Sequence, residues 1–333
     1  MSRDRGDHRP RTLRSRNRLA LATAAVATVA MTASGCVVVH GEREVVPTAA
    51  RAEAARALKD FTAAYNKADQ TYDRSQDADR VTGPLADIDG GKLEAGRRNN
   101  PDGNPAHAPL EFTDARFTIP EKAGWPRWFV ADTRANRGSA DARWLLVFTR
   151  SDADKVWAVS YLTILAADDV PTFKKDKDGW AEPVAVDDAA LAVQPRKLGT
   201  AYTTYLQDGG DTFAPGVHTS QWRAKRQKDA SRPGRVRQYI DEPLTKGDYA
   251  PLGLRTTDGG ALVFFATRHY EKQTAAQGVN LTVTDPDTKA LLKGEVRQSL
   301  TREYVSNEAV LDPVKGKVKF LSRVEGLTGA KGE

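Results

Sequence analysis

Cysteine is nearly absent from this 333-residue chain, which contains only one, Cys36. A single thiol cannot form an intramolecular disulfide, so we expect ordinary hydrophobic cores to stabilise the folded part. Histidine is also scarce after Cys36, where His40, His107, His218 and His269 lie far apart. Because metal sites need several ligands brought together, the sequence predicts neither a metal site nor a cofactor.

The short motifs of several enzyme classes are missing as well. The sequence contains no Gly-x-Ser-x-Gly nucleophile elbow and no Ser-x-x-Lys pair. The glycine pairs at residues 90–91, 209–210 and 259–260 lack the Lys-Ser or Lys-Thr that completes a phosphate-binding loop, so we interpret all three as turns. We therefore expect that the protein is not an enzyme.

One pair of residues comes near to a catalytic arrangement. His269 and Glu271 lie two positions apart in a run that predicts a strand, so their side chains would point to the same face. The plainer interpretation is a polar outer face on a half-buried strand, with Phe264 and Tyr270 turned the other way. We favour this plainer interpretation.

The N-terminal segment is the most informative feature that the chain does contain. Seven arginines and two acids occupy the first 18 residues, and residues 19–33 then carry no charge. As a helix this run would extend about 22 Å, against about 30 Å for the hydrocarbon layer of a bilayer, so an uncleaved membrane anchor is the weaker alternative. A basic region followed by a short apolar run predicts an export signal.

The apolar run ends in Ala33-Ser34-Gly35-Cys36, which resembles the lipobox of bacterial lipoproteins. In that family the thiol takes a diacylglyceryl group, and the peptide bond before the cysteine is then cut. The resemblance implies lipidation at Cys36 by acyl chains such as palmitate, and anchoring at the outer face of the cell membrane. Ala33 departs from the family pattern, because leucine is usual at that position.

Removal of the signal would change the charge of the chain. The formal net charge of the whole sequence is +6, and residues 1–35 supply +5 of it, which leaves +1 on residues 36–333. Because most of the basicity would be lost at export, we expect no binding to nucleic acid.

The periodicity after the signal predicts helices followed by strands. Apolar residues recur at helical spacing over residues 48–73, and a second, short helix fits residues 85–96. β-Branched and aromatic runs then predict four strands, at residues 116–119, 127–132, 143–150 and 156–165. The last two should form a central antiparallel hairpin, because only a polar turn separates them.

The same order of elements returns in the second half of the chain. Helices are predicted around Tyr202 and Trp222, and strands at residues 250–256, 261–272, 299–311 and 317–327. Residues 144–150 and 262–268 look like the same strand used twice, which predicts a duplicated unit. The predicted boundaries are a signal peptide at 1–35, a lipid-anchored tether at 36–47, domains at 48–170 and 188–328, a linker at 171–187 and a tail at 329–333.

This order of helix and then meandering strands resembles the NTF2-like and cystatin-like α+β folds. The chain as a whole resembles the uncharacterised lipoproteins of actinobacteria, with a composition rich in Ala, Arg and Asp. The resemblance implies an α+β protein of two similar domains, each with an N-terminal helical part packed on a curved antiparallel sheet. Some NTF2-like proteins use a buried Asp with Tyr donors to move a proton. Here Asp60 beside Tyr65 is the nearest candidate, and we interpret it as solvent-facing.

Two surface patches are candidate partner sites. Trp125, Trp128 and Phe129 could form an exposed aromatic patch, although a strand that packs them inward is favoured. The one strongly basic stretch after the signal comprises Arg223, Lys225, Arg226, Lys228, Arg232, Arg235 and Arg237. This stretch is either a surface for anionic lipid headgroups or wall polymers, or a solvated helix face and loop.

These observations favour a binding protein at the outer face of the membrane. We expect it to dock a protein, a peptide or an envelope polymer while Cys36 holds it in the bilayer. The alternative is an NTF2-like pocket protein, either a small-ligand carrier or an enzyme of the isomerase or hydrolase type.

Overall fold

Two β-sheets dominate residues 44–333, the part of the chain that the computed structural model describes. The α-helices are α1 (Arg51–Thr71), α2 (Gly83–Asn99), α3 (Leu198–Asp208), α4 (Trp222–Asp229) and α5 (Pro286–Leu291). The strands are β1 (Val46–Pro47), β2 (Phe112–Thr118), β3 (Glu121–Lys122), β4 (Arg127–Ala135), β5 (Ala142–Arg150), β6 (Ala158–Ala166), β7 (Ser231–Arg232), β8 (Arg235–Leu244), β9 (Leu252–Arg255), β10 (Ala261–Ala275), β11 (Leu292–Lys293), β12 (Ser299–Asp312) and β13 (Lys319–Gly332). The fold is therefore α+β, as the sequence predicts.

The strands form two large sheets and one small ribbon. The first sheet has the order β2-β4-β5-β6 and is antiparallel throughout. The second has the order β11-β13-β12-β10-β8-β7, with β9 beside β10, and only its β11-β13 pair is parallel. The predicted central hairpin is confirmed as β5-β6, in which Val147 lies opposite Tyr161. The ribbon pairs β1 with β3, where the described chain begins.

The two large sheets pack face to face, and a helix covers the outer face of each. Alternate residues of β5 point to opposite faces, so Leu145 packs toward the second sheet while Phe148 contacts Phe61 of α1, with ring centroids 5.9 Å apart. On the second sheet Phe265 points outward to Tyr202 of α3, at 6.1 Å. The layers are therefore helix, sheet, sheet and helix, and three apolar clusters fill the spaces between them.

Helix α1 follows directly from its sequence. Leu58 and Phe61 lie on its buried face, and the Glu53 carboxylate accepts the Ala50 backbone N–H at its start, at 3.3 Å. It ends where Tyr72 adopts a left-handed conformation, with φ 50°. The helix predicted over residues 48–73 is confirmed, with both ends a few residues shorter.

The prediction of a turn at residues 90–91 was wrong. Gly90 and Gly91 lie inside α2, which packs on β13 and β6. A Cβ at Gly91 would lie 2.2 Å from the backbone oxygen of Leu327, and one at Gly326 would lie 2.7 Å from the Ile88 side chain. Glycine is needed here because helix and strand approach closely, not because the chain turns.

The other two glycine pairs lie in turns, as predicted. Gly209 and Gly210 follow α3 with φ values of 83° and 119°. Gly259 and Gly260 join β9 to β10, and Gly259 has φ 88°. Positive φ values of this kind favour glycine because it has no side chain to clash with the backbone.

The predicted linker, residues 171–187, is bonded to the segment that follows β2 and to β9 of the second sheet. Ala181 donates its backbone N–H to Ile119 at 2.9 Å, and Val184 donates to Gly253 at 2.8 Å. Ala181 is also buried between the sheets. Residues 44–333 accordingly pack as one compact unit, and no helix among them is both long and apolar enough to cross a membrane.

Candidate functional site

The predicted lipidation residue, Cys36, lies outside the described residues, and so does His40. The structure describes only the last part of the predicted tether, from residue 44 onward. There Val46 and Pro47 pair with Lys122 and Glu121 of β3. The lipid attachment therefore stays a prediction from the sequence, while the point where the tether joins the fold is visible.

The aromatic residues near the start of β4 pack mostly inward. Trp128 is buried between the two sheets, and Phe129 is buried under α1. Trp125 is half-buried, and its ring lies 4.8 Å from the guanidinium of Arg127 and 5.2 Å from that of Arg150. The favoured interpretation, inward packing, holds for Trp128 and Phe129.

Asp60 is solvent-facing, as the sequence interpretation proposed, but Tyr65 has a different acidic neighbour. Tyr65 is half-buried near Asp89, and its burial, followed by the charge of Asp89, raises the pKa of its hydroxyl. Asp77 and Asp89 line a cavity of about 80 Å³. Burial and their mutual repulsion raise the pKa of this carboxyl pair, so the pair retains a proton at neutral pH.

The volume of this acidic cavity decides what it can hold. A water molecule occupies about 30 Å³ of liquid, whereas pockets for drug-sized ligands usually measure about 300–1,000 Å³. At about 80 Å³ the cavity has room for two or three waters. It therefore does not provide the substrate pocket that the NTF2-like alternative requires.

His269 lies on the face of β10 that turns away from the first sheet, as Phe265 does, but this face is buried there, contrary to the polar outer face of the sequence interpretation. It is 3% exposed, and its ring stacks on Tyr304 with centroids 4.9 Å apart. Burial, followed by the nearby charges of Arg323 and Arg226, lowers the pKa of His269 to about 2, so the ring is neutral. The ring is enclosed by Tyr304 and by two arginines, Arg226 of α4 and Arg323 of β13, whose proximity the sequence did not indicate.

Glu271 shares the face of His269 but has its own partners. Its carboxylate pairs with Arg302 and, at 3.0 Å, with Arg237. Phe264, in contrast, points into the space between the sheets, which confirms that it is turned the other way. His269 and Glu271 therefore do not form a base and carboxylate pair.

Three residues of the basic stretch predicted from the sequence line a groove between α4 and β8. We call this the arginine groove; its volume is about 440 Å³, and its principal polar side chains are Arg223, Arg226, Arg237, Tyr239 and Asp241. The remaining basic residues of the stretch point elsewhere. Lys225 and Arg232 both pair with Asp229 at 2.7 Å, and Lys228 and Arg235 are exposed.

A buried ion pair anchors the floor of the arginine groove. Arg226 donates to both carboxylate oxygens of Asp241, at 2.7 and 2.9 Å, and both side chains are at most one-tenth exposed. The Arg226 guanidinium also lies 4.6 Å from the Tyr239 ring centre and 5.0 Å from that of Trp222. Bidentate geometry and stacking together fix Arg226 in one position.

Arg223 differs from Arg226 because its charge is not compensated. Among the described residues it forms no ion pair with a carboxylate, and its Nε is buried without a hydrogen-bond partner. Arg237 at the other wall is paired with Glu271. The groove therefore presents one positively charged group with an unpaired Nε, and Tyr239 also lines it. This arrangement is suited to a phosphate or carboxylate.

A buried acid on the same face as His269 escaped the sequence analysis. Glu308 of β12 is 1% exposed; one carboxyl oxygen accepts the Thr267 hydroxyl at 2.6 Å, and the other has no partner. Burial raises the pKa of Glu308 to about 8. The side chain is therefore protonated at neutral pH, because burying the charged carboxylate would cost more free energy than burying the neutral acid.

Glu308 gives a prediction for the pH dependence of stability. The pKa of Glu308 is about 8 in the fold and 4.5 in its ordinary state, which we take for the unfolded chain. Its contribution to the free energy of unfolding is therefore fully present below pH 4.5 and is lost as the pH rises through 8. The Glu308→Gln variant should lose this dependence. Between pH 4.5 and 8, the free energy of unfolding of the wild type should therefore fall relative to that of the variant by about 1.4 kcal/mol per pH unit.

Urea denaturation at several pH values from 5 to 9 tests this expectation. The exposed Glu111→Gln change removes the same chemical group and should leave the wild-type slope intact. A Glu308→Gln slope that equals the wild-type slope would contradict the assignment of a protonated Glu308.

Comparison with known proteins gives a family and no solved structure. The family described as "Domain of unknown function (DUF8094)" matches residues 45–332. An uncharacterized lipoprotein of Streptomyces avermitilis is 67% identical over 337 residues, covering 100% of both chains. An uncharacterized lipoprotein of Streptomyces coelicolor is 62% identical over 333 residues, again covering 100% of both. A second one from S. coelicolor is 28% identical over 229 residues, which is 66% of this chain and 63% of that protein. No solved structure matches.

Proposed function

The chain belongs to the DUF8094 family, with relatives named as uncharacterized lipoproteins, and from this premise we propose that it is a lipid-anchored extracytoplasmic protein that binds an anionic polymer of the cell envelope. The proposal places Cys36 in the outer face of the membrane and assigns ligand binding to the arginine groove. Its action is binding rather than catalysis.

The lipid anchor is supported by two independent observations. The sequence has a basic segment, an uncharged run and a small-residue tetrapeptide that ends in the only cysteine. Two relatives that match over their full length carry the name lipoprotein. Two or three acyl chains, at about 0.8 kcal/mol per buried methylene, would hold the protein firmly, whereas a single chain is marginal.

The observation that carries the binding proposal is the uncompensated charge of Arg223 in a groove of about 440 Å³. The sequence from residue 222 to 241 has seven basic side chains and two acids, Asp229 and Asp241. Both acids are already bound by arginines or lysines of the same stretch. An incoming anion would therefore meet net positive charge at close range.

The proposal extends to the architecture. We propose that residues 48–170 and 188–328 are two related units of the NTF2-like or cystatin-like type. The order of elements supports this, because each half places a helix before an antiparallel sheet and packs that helix on the face away from the other sheet. The apolar cluster between the two large sheets would then be the interface between these two units.

Poly(glycerol phosphate) binding tests the proposed function. Fluorescence anisotropy of the labelled polymer with the lipidated protein in detergent micelles should show saturable binding that weakens as the salt concentration rises. Arg223→Ala should raise the dissociation constant about five- to tenfold, since a charge-assisted contact contributes about 1–1.5 kcal/mol.

The Arg235→Ala variant is the matched control for this experiment. Arg235 belongs to the same basic stretch but is exposed and does not line the arginine groove. The variant removes the same charge from outside the groove. Its dissociation constant should therefore stay within about twofold of the wild-type value. Absence of binding, or an equal loss in both variants, would contradict a specific site at the groove.

A further inference from the structure

The point where the predicted tether joins the fold carries two basic side chains that no acid of residues 44–333 compensates. Val46 of β1 lies opposite Lys122 of β3, and Arg127 begins β4 a few residues later. Among the described residues, neither Lys122 nor Arg127 forms an ion pair with a carboxylate. Arg150, their neighbour, is instead bound by Glu53 at 3.0 Å.

The two cations are held in place by local contacts. The Lys122 ammonium donates to the Ala123 carbonyl at 3.1 Å, and Arg127 lies over the Trp125 ring at 4.8 Å. The Nε of Arg127 is buried without a hydrogen-bond partner. Burial, and then the charge of Arg127, lowers the pKa of Lys122, so the two cations repel each other in the unliganded fold. An anion between them would relieve this repulsion.

The Trp125 ring lies beside this pair of cations, and exposed valines adjoin their neighbours in the sequence. Arg150 links Trp125 to Trp157, whose rings lie 5.2 and 4.7 Å from its guanidinium. Val45 and Val156, at 61% and 42% exposed, are among the large hydrophobic side chains that remain in solvent. Tryptophan and exposed aliphatic groups beside basic residues are typical of surfaces that rest in a membrane interface.

The length of the tether sets the distance to the bilayer. Ten residue steps separate Cys36 from Val46, so the fully extended chain spans at most about 35 Å. If Cys36 is lipidated, this end of the first sheet lies within that distance of the headgroups. The charge of an anionic phospholipid surface acts within about 10 Å at ordinary ionic strength. This end of the sheet comes within that range of the headgroups when the tether is shorter than its full extension.

We propose that Lys122, Arg127 and Trp125 form a membrane-docking site that binds the phosphate of an anionic phospholipid next to the lipid anchor. The proposal rests on the anchor at Cys36. It does not depend on the arginine groove, which belongs to the second sheet. Docking fixes the orientation of the protein on the membrane, whereas a tether alone would leave it free to rotate.

The single native cysteine makes a direct test possible. In the lipidated chain Cys36 is blocked, so Val156→Cys introduces the only free thiol, which is labelled with the environment-sensitive dye NBD. The labelled protein is placed in nanodiscs of phosphatidylcholine alone or with phosphatidylglycerol, and quenching by headgroup-level doxyl lipid is measured. We expect at least threefold stronger quenching with phosphatidylglycerol. As a control, the same dye is attached at exposed residue 277 in a Gln277→Cys variant, where it should show little quenching in either lipid.

Charge-matched variants complete the test. Lys122→Gln with Arg127→Gln should remove the phosphatidylglycerol-dependent quenching. Lys317→Gln with Lys319→Gln, which alters two exposed lysines just before and at the start of β13, should retain it. Equal quenching in both lipids, or no effect of the first double variant, would overturn the docking site. Failure of the wild-type protein to migrate with the discs would instead show that the anchor itself is wrong.

Discussion

Replacing Cys36 by serine is expected to abolish the membrane-bound mature protein. A hydroxyl cannot form the thioether that carries the acyl chains, and without it the bond before residue 36 is not a substrate for the lipoprotein peptidase. The variant should therefore appear either as soluble protein in the medium or as an uncleaved precursor that retains residues 1–35. The effect is close to all-or-none, because attachment depends on two or three acyl chains at about 0.8 kcal/mol per buried methylene.

Cell fractionation with an antibody to the folded part measures this outcome. Ser34→Ala is the matched control, since it changes a neighbouring residue but keeps a small side chain before the cut and leaves the thiol intact. It should leave the mature protein in the membrane fraction. A Cys36→Ser chain of mature length that stays in the membrane fraction would contradict the anchor.

The second large effect is expected from Arg226→Met. Arg226 and Asp241 are both nearly buried and bonded at 2.7 and 2.9 Å, so removing the guanidinium leaves the Asp241 carboxylate uncompensated in a poorly solvated site. Breaking a buried pair in this way costs about 3–5 kcal/mol. The stacking of Arg226 on Trp222 and Tyr239 is lost at the same time.

Urea denaturation at pH 7 gives the free energy of unfolding of each variant. Arg226→Met combined with Asp241→Leu should recover much of the loss, because no charge is then left buried. Lys225→Met removes an exposed charge one residue away, from a lysine that is 61% exposed, and should cost less than about 1 kcal/mol. An Arg226→Met loss no larger than that of Lys225→Met would contradict the structural role of the ion pair.

The strands that the sequence predicted best are those that are apolar on both faces. In β5 and β6, long apolar runs are bounded by polar turns, and both faces are buried, one by α1 and one by the second sheet. Strand β8 was missed. Its residues alternate between exposed and half-buried positions and include Arg235 and Arg237, so the run resembles a polar loop. It becomes a strand because β10 supplies ten consecutive partners along its length.

The proposed repeat shows a similar limit. Aligning residues 144–150 with 262–268 places Leu145 beside Val263, but the structure turns Leu145 toward the other sheet and Val263 toward α3. A shift of one residue matches Leu145 with Leu262, which both lie between the sheets. Similar apolar runs do not reveal which face is which, because a shift of one residue exchanges every side chain between the faces.

The candidate site was predictable in composition but not in arrangement. The sequence singled out the basic stretch, and Arg223, Arg226 and Arg237 do line the arginine groove. It could not separate Arg223 from Arg226, since the partner of Arg226 is Asp241, 15 residues away on a strand that had not been recognised. Glu308 escaped notice because its burial arises from helices and strands distant in sequence.

The mass of the N-terminal peptide of the exported wild-type protein tests the central claim most directly. The lipid-anchor account predicts a peptide that begins at Cys36 and carries a thioether-linked diacylglyceryl group on its sulfur. A peptide that begins at another residue, or one that begins at Cys36 with an unmodified thiol, would contradict it.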